Sequence, residues 1–276
     1  MKAPAFRPRQ ILLSVTMIVA AAIMALPFYY IVISTLKTQN EVAFNPLGLP
    51  SELYLDNYIA TFTTMPVLQS FLNTLYVTLA SVSIMLIAGS MAAFGVIIRN
   101  SWYTRIISVL LVVSFLVPFQ STIIPLFRLF AQIRLVDTLE GLIIISSGGA
   151  IFSYFLIIGY MRSVPFEIIE AARVDGAGPL RIYWTIVLPL IRPILVTVGV
   201  FQVMGVWNDF IAPSVFLSSP DKATIILQVY RAVGHFATNW PMFMTLSVIV
   251  LTPMVIFFIA LQKHIVSGLV GGSIKG

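Results

Sequence analysis

Residues 170–189 read EAARVDGAGPLRIYWTIVLP and lie between two long apolar stretches of the chain. A short helix precedes Gly176, and both Gly176 and Gly178 can adopt the positive φ that ends a helix. Pro179 can then begin a second helix, running to Leu188, because its fixed φ suits a first helical position. The stretch therefore predicts a polar helix, a glycine turn and a second helix inside an apolar protein.

The rest of the chain has the composition of a membrane protein. Of its 276 residues, 59% are hydrophobic and only 9% are charged, and the mean hydropathy is +1.00, well above the values of soluble domains. A helix needs about 20 largely apolar residues to cross a bilayer, so charge-poor windows of that length predict an all-α integral membrane protein with six transmembrane helices. In a single domain of residues 1–276, the spans cover residues 11–36, 71–98, 106–133, 141–161, 190–212 and 242–262, with a loop at 162–189.

The distribution of charge orients these spans, because Lys and Arg are enriched in short loops on the cytoplasmic side of a membrane. If the N-terminus lies inside, the inner segments hold 11 of the 16 basic residues but only three of the ten acidic ones. This arrangement predicts that both termini and loop 162–189 face the cytoplasm.

The composition also excludes several functional classes. The pI of about 9.7 requires no nucleic-acid partner, because membrane topology accounts for the spread of positive charge. The absence of Cys excludes disulfides, thiolate metal sites and Cys nucleophiles. His235 and His264 lack metal-ligand spacing, and the scattered acids do not form the cluster that a membrane enzyme needs. We therefore expect no metal, bound cofactor or catalytic residue.

Chemistry alone leaves two interpretations of the first helix in loop 162–189. The small residues Ala171 and Ala172 let another backbone approach closely, so the helix could sit in a groove of a soluble partner. Alternatively, the loop is an interfacial hairpin whose Arg side chains contact phospholipid headgroups. Glu170 and Arg173, three residues apart on this helix, are close enough to pair.

A path for a solute would need polar or aromatic side chains within the spans. Asn73, Gln202, Trp207 and Asn208 suit a sugar, which offers hydroxyls and apolar ring faces but no charge. The alternative is structural: Asn73 and Gln202 bond to neighbouring helices, and Trp207 belongs to the aromatic belt at the membrane surface. Asp209 raises the alternative of a proton-coupled carrier, because a carboxylate within a membrane can carry protons. Such a carrier would have more buried acidic residues, and this function would leave the polar loop unexplained.

The loop resembles the signature of ABC importer permeases. That signature is Glu-Ala-Ala, three residues, Gly, nine residues and Ile-x-Leu-Pro, and every specified position is met by Glu170, Ala171, Ala172, Gly176, Ile186, Leu188 and Pro189. The resemblance extends over the whole chain and points to the second permease subunit of maltose-transporter-like carbohydrate importers. Further matching stretches are Trp207–Phe210, Asn239–Pro241 and the tail Gln262–Gly276.

The resemblance implies a type I ABC importer permease in the cytoplasmic membrane of a bacterium or archaeon. It implies ATP-driven uptake of a sugar, polyol or sugar phosphate by alternating access. The implied partners are a second homologous permease, two ATPase subunits, an extracytoplasmic solute-binding protein and membrane lipid. ATP and Mg would be bound by the ATPase, since this chain has no Gly-x-x-x-x-Gly-Lys-Ser/Thr phosphate loop.

The resemblance also assigns roles within the loop. Glu170 would make polar contact with the ATPase, Ala171 and Ala172 would give a close fit, and Gly176 would form the turn. The coupling set is completed by Asp175, Leu188 and Pro189. The alternatives are an importer of a non-carbohydrate solute and, with less support, a proton-coupled carrier or a channel.

Overall fold

The computed structural model describes residues 8–99, 101–235 and 239–271, which form helices and turns with no β-strand among them. Residue contacts divide the chain into two compact units. Unit 1 comprises Met1–Val67 and Val229–Thr252, and unit 2 comprises Leu68–Gln228 and Pro253–Gly276. The two termini and the last five residues of the matching tail lie outside the described residues. The interpretation as a single domain, and the cytoplasmic location of the termini, stay predictions.

Helices account for most of the described chain. In order they are α1 Pro8–Ser34, α2 Gln39–Phe44, α3 Asp56–Thr64, α4 Val67–Arg99, α5 Trp102–Phe115, α6 Phe119–Gln132, α7 Leu139–Ser146, α8 Ala150–Met161, α9 Phe166–Val174, α10 Pro179–Ile182, α11 Leu188–Leu190, α12 Arg192–Trp207, α13 Ile211–Phe216, α14 Ile225–His235 and α15 Trp240–Gly271. A 3₁₀ turn at Ser147–Gly149 joins α7 to α8, a π-helical turn at Tyr183–Val187 joins α10 to α11, and a 3₁₀ turn at Pro220–Lys222 precedes α14.

Four segments within the described residues are long and apolar enough to cross a membrane, and two bent helix pairs raise the number to as many as six. The four segments overlap the windows that hydropathy predicts at 11–36, 71–98, 141–161 and 242–262. They are Ile11–Ser34, Val67–Arg99, Leu139–Met161 and Trp240–Gln262.

The predicted span at 106–133 is not one continuous helix. It consists of α5 and α6, whose axes are bent by 101°. Pro118, just before α6, has an extended backbone with φ −67° and ψ 133°. Proline has no N–H to donate and disfavours helical geometry in the residue before it, so the helix breaks between Phe115 and Phe119.

The predicted span at 190–212 is also interrupted. A bend of 79° separates Pro179–Leu190 from α12, and α12 ends at Trp207. Asp209 then accepts the backbone N–H groups of Ile211 and Ala212 at its Oδ1, at 2.9 and 3.3 Å. Because an Asp side chain competes with the helical backbone for such donors, the chain turns here and begins α13.

Close helix packing forms the core of unit 2. Tyr183 is almost fully buried and its hydroxyl lies 2.7 Å from Ser90 Oγ of α4. A Cβ atom added at Gly89 would lie 2.7 Å from Cβ of Ser153 and 2.8 Å from the backbone nitrogen of Tyr154. Only glycine therefore allows α4 and α8 to approach this closely, as small residues commonly do in membrane helix packing.

A buried lysine is satisfied by backbone carbonyls in unit 1. Lys37 is 0% exposed, and its Nζ donates to the carbonyls of Asn45 at 2.8 Å and Gly48 at 2.5 Å. Asn57 Nδ2 in turn donates to the carbonyls of Thr35 and Lys37, both at 2.9 Å. Since an unpaired buried ammonium is costly, these bonds fix the loop between α2 and α3 against the end of α1.

A second polar network ties the loop after α6 to the loop after α13 in unit 2. Asp137 has a left-handed backbone, with φ 58°, and its Oδ1 accepts the backbone N–H groups of Ser218 and Ser219, each at 2.9 Å. Its Oδ2 accepts the Ser219 hydroxyl and lies 3.4 Å from Lys222 Nζ. Although burial alone would raise the pKa of Asp137, the hydrogen bonds from Ser219, Ser218 and Lys222 outweigh it and hold the pKa well below its usual range.

Replacing Asp137 by asparagine is expected to lower the free energy of unfolding by about 1 to 2 kcal/mol near neutral pH, because charge-assisted hydrogen bonds become neutral ones. Asn tolerates the left-handed backbone, which leaves charge as the main change. A carboxylate whose pKa is lower in the folded protein stabilises the fold fully at pH values above its unfolded pKa of about 3.9. This stabilisation is lost as the pH falls below that value. In detergent, the thermal unfolding temperatures of the wild type and of Asp137→Asn should therefore converge at acidic pH. Asp221→Asn, an exposed neighbour, is the control and should show no such pH-dependent difference.

Candidate functional site

Helix α9 has two sides with different surroundings. Ile169 and Ala172 are 2% and 7% exposed and pack in the hydrophobic core of unit 2. The opposite side is exposed along positions spaced i, i+3, i+4 and i+7, which share one helical face. We define the outer face of α9 as the exposed residues Glu167, Glu170, Ala171, Val174 and Asp175.

The two alanines of the signature therefore lie in different environments. Ala171 is exposed on the outer face of α9, where a small side chain permits close approach by a partner. Ala172 is instead buried against the protein's own core, so its small size serves the packing of α9 onto unit 2. Val174, which sequence reasoning missed, is 88% exposed. Its position seven residues after Glu167 could have identified it as part of the same stripe.

The end of α9 is a glycine-dependent turn. Gly176 has φ +79°, its N–H donates to Arg173 O at 3.0 Å, and the N–H of Ala177 donates to Ala172 O at 2.9 Å. These two bonds form a Schellman motif, whose C′ residue needs a left-handed backbone. Gly178 was expected to have positive φ as well, and this was wrong: its φ is −68° and its extended backbone leads into Pro179 at the start of α10.

The segment after the turn is not the regular helix expected to run to Leu188. Residues 183–187 form a π-helical turn, and Pro189 follows in α11. Proline in a helix removes an N–H donor and clashes with the carbonyl four residues earlier, and a wider turn relieves this conflict. Of the two coupling residues predicted here, Pro189 is exposed, whereas Leu188 is half-buried against the core of unit 2.

Arg173 joins α9 to α4 instead of pairing with Glu170. One guanidinium nitrogen, Nη2, donates to the carbonyl oxygen of Ile98 at 3.0 Å, and the group lies 5.8 Å from the ring centroid of Phe166. Glu170 takes part in no ion pair within the described residues. The carboxylate of Glu170 is thus left exposed and available on the outer face of α9.

Two of the residues predicted on the solute path are bonded to other segments of the chain. Asn73 is 3% exposed and its Nδ2 donates to the carbonyls of Asp221 and Ala223, at 2.8 and 3.1 Å. Gln202 is 8% exposed and its Nε2 donates to Gly149 O at 2.6 Å and Ser153 Oγ at 2.8 Å. These bonds favour the alternative that both side chains link segments of the protein and do not bind a solute.

The other two predicted residues lie at the end of α12. Trp207 is 5% exposed and packs edge-to-face on Phe71, with ring centroids 5.6 Å apart, so within this chain it is not a surface-belt residue. Its Nε1 donor is buried without a partner among the described residues. Asn208 is exposed, and its Nδ2 donates to Met204 O at 2.8 Å.

A cavity of about 410 Å³ lies beside the break between α5 and α6. The 3₁₀ turn that precedes α8 forms another wall, held in place because Gly149 packs tightly against Met85 and Gln202. Aromatic rings, hydroxyls and one carboxylate converge on this space. We define the α5–α6 cavity by the lining residues Ser114, Phe115, Phe119, Ser146, Phe152 and Asp209.

Of these lining residues, only Asp209 is a candidate from the sequence, as a proton carrier. Its Oδ1 is engaged by α13, but its Oδ2 has no partner within the part of the chain that the structure describes. Pro118 and the Gly148–Gly149 pair are the signals that could have located the cavity, since helix breaks in a membrane protein occur where the backbone borders a cavity or other protein.

Comparison with known families identifies the chain. Residues 85–270 match the family described as "Binding-protein-dependent transport system inner membrane component". The chain belongs to this family. It is therefore the permease subunit of an ABC importer, a multi-pass protein of the inner membrane, and the matched region includes the outer face of α9 and the α5–α6 cavity.

Named relatives resemble this permease over nearly its whole length. The "Probable starch degradation products transport system permease protein AmyC" of Thermoanaerobacterium thermosulfurigenes is 33% identical over 250 residues, covering 90% of this chain and 91% of the relative. The "Melibiose/raffinose/stachyose import permease protein MelC" of Bacillus subtilis is 30% identical over 253 residues, covering 91% of each chain.

A solved structure supports the fold of the permease. A chain of a bacterial ABC transporter involved in the import of the acidic polysaccharide alginate matches with a TM-score of 0.80 and 23% sequence identity, covering 95% of this chain and 99% of that chain. This confirms the type I ABC importer permease fold that the signature loop implies.

Proposed function

We propose that this permease imports a sugar or an oligosaccharide, and that separate subunits hydrolyse the ATP that drives the import. The names of two relatives support the cargo: one is named for starch degradation products and the other for melibiose, raffinose and stachyose. Both relatives align over about nine-tenths of this chain. The proposal includes polyols and sugar phosphates, because they carry hydroxyl groups as sugars do.

The observation that carries the proposal is the lining of the α5–α6 cavity. Its volume of about 410 Å³ falls in the range of small-molecule sites, roughly 300 to 1,000 Å³. Phe115, Phe119 and Phe152 supply apolar surfaces on which a sugar ring can stack. Ser146 and the free Oδ2 of Asp209 supply hydrogen-bonding groups for hydroxyls.

The four predicted polar residues contribute unequally to this proposal. The amide donors of Asn73 and Gln202 already bond to other segments of the chain, so we assign structural roles to both; Gln202 holds Gly149 in the cavity wall. Trp207 keeps an unpaired N–H, and Asn208 is exposed next to Asp209. We retain Trp207 and Asn208 as candidates for solute contact.

The outer face of α9 is the proposed attachment point for the ATPase. It presents exposed carboxylates, the small Ala171 and the exposed Val174, a mixture that fits a groove with polar edges and an apolar floor. In the proposed complex, two ATPase subunits bind ATP and Mg, a second permease completes the transmembrane path, and an extracytoplasmic protein delivers the solute. Closure of the ATPase pair would move α9 and switch the permease by alternating access.

The cargo can be tested with the complete transporter in proteoliposomes, with its solute-binding protein present. Neutral oligosaccharides should stimulate ATP hydrolysis and accumulate inside, whereas amino acids should do neither. Stimulation by amino acids alone would overturn the assignment of the cargo.

A matched pair of variants tests the cavity in the same assay. Phe152→Ala should raise the KM for the oligosaccharide about threefold to tenfold, because an aromatic contact is lost. Phe155→Ala is the control, since Phe155 packs on Phe115 at 6.2 Å much as Phe152 does at 6.0 Å but does not line the cavity. Equal effects of the two variants would place the solute elsewhere.

A further inference from the structure

A second groove, of about 380 Å³, lies between the C-terminal end of α4 and the α9–α10 segment. Its walls are mainly apolar and its edge carries two cationic side chains, Arg99 and Arg173. The apolar lining includes Met91, Phe94, Ile98 and Leu180. Leu180 is 64% exposed and Met91 is 39% exposed, so this apolar surface is incompletely covered by the chain itself.

The positive charge of the groove has no counter-charge within the described residues. No acidic side chain lines the groove, and neither arginine takes part in an ion pair. One nitrogen of Arg173 donates to the Ile98 carbonyl, which anchors its guanidinium at the edge of the groove while its other donors stay available. A guanidinium fixed in this way is well placed to bind a phosphate oxygen.

The groove also lies at a definite depth in the membrane. Helix α4 has the length and composition of a membrane span and ends at Arg99, and the excess of basic residues predicts that this end lies on the cytoplasmic side. Its apolar walls therefore face the acyl region, and its arginines lie at the level of the headgroups. Anionic lipids of the cytoplasmic leaflet attract basic groups at this level.

We propose that this groove binds one anionic phospholipid of the cytoplasmic leaflet. The phosphate lies between Arg99 and Arg173, and an acyl chain runs along Met91, Phe94 and Leu180. The lipid thereby lies beside Arg173 on a flank of α9, next to the outer face that we propose for the ATPase. The two interpretations of loop 162–189 then apply to two different surfaces of the same loop.

Gly95 offers a direct way to close the groove. It lines the groove on α4, and a Cβ atom added there meets no other atom within 4 Å. A leucine at this position would project into the empty space without displacing the backbone. Gly159 on α8 is equally open but does not line the groove, so Gly159→Leu is its matched control.

Native mass spectrometry of the full-length permease in a nonionic detergent can test the proposal. The probes are phosphatidylglycerol and phosphatidylcholine with the same acyl chains, and inorganic phosphate as a competitor. Phosphatidylglycerol should bind about fivefold more tightly than phosphatidylcholine, the effect of about one basic contact. Arg99→Gln and Gly95→Leu should each weaken its binding by about fivefold or more, whereas Arg105→Gln and Gly159→Leu should leave it unchanged.

Several results would overturn the proposal. Equal binding of the two lipids would show that charge does not contribute to binding. Unchanged binding in both Arg99→Gln and Gly95→Leu would show that the lipid binds outside this groove. Competition by inorganic phosphate would indicate a site for a free anion. Loss of the lipid when the ATPase subunits assemble would assign the groove to the protein interface instead. None of these readouts depends on the identity of the imported solute.

Discussion

Replacing Glu170 by lysine should abolish ATP-driven uptake while the permease stays folded and inserted. Glu170 is exposed on the outer face of α9, so a surface substitution there changes the free energy of unfolding by only about 0.5 kcal/mol. Within the interface, the same change would bury a charge of the wrong sign. Losing one partner of a buried charge pair costs about 2 to 5 kcal/mol, and we therefore expect uptake and co-purification of the ATPase to fall at least about thirtyfold.

The control is a second charge reversal away from the proposed interface. Glu52 is exposed in the loop before α3, and Glu52→Lys changes the net charge of the chain by the same amount. We expect that variant to transport as the wild type does. Normal uptake by Glu170→Lys would show that the outer face of α9 is not where the ATPase binds.

Replacing Gly176 by valine should also uncouple the transporter, through the backbone alone. A Cβ atom added at Gly176 meets nothing within 4 Å, but the φ of +79° disfavours any L side chain. A left-handed conformation costs an ordinary residue about 1 to 2 kcal/mol, and a β-branched residue is a clear outlier there. The Schellman turn should therefore rearrange, α9 should lose its orientation, and uptake should fall about tenfold or more.

Gly178→Val provides a matched comparison two residues away. A Cβ atom added at Gly178 also meets nothing within 4 Å, but its φ of −68° and ψ of 159° suit any residue that precedes proline. We expect near-normal uptake from this variant. If both valines reduce uptake equally, bulk in the turn, and not its left-handed backbone, would be the cause.

Local chemistry predicted much of the fold. Charge-poor windows of about 20 residues located the membrane helices, and the loop spacing identified the family, because both depend on short-range sequence patterns. The size of the bends was not predicted, although Pro118 was visible in the sequence. A proline within an apolar window can kink a span slightly or break it; here the two helices diverge by 101°, with α5 packed against α8 and α6 against α13.

The roles of side chains within the site were harder to predict. The sequence placed Ala171 and Ala172 together, but only the packing of α9 on unit 2 shows that one is exposed and the other buried. Arg173 has an acid three residues away and still donates to Ile98, which is 75 residues distant in sequence. The α5–α6 cavity combines residues from three separate stretches of the chain, 114–119, 145–152 and 209–212, so no single stretch could reveal it.

Helix α4 gives the permease a mechanical property. It has 33 residues without an internal proline, and at 1.5 Å per residue it is about 50 Å long, longer than the roughly 30 Å of hydrocarbon that it crosses. Near one end Asn73 is bonded to the loop before α14, and at the other end Arg173 of α9 holds the Ile98 carbonyl. In the proposed mechanism, a tilt imposed through α9 would therefore be transmitted along a continuous helix towards the opposite surface of the membrane.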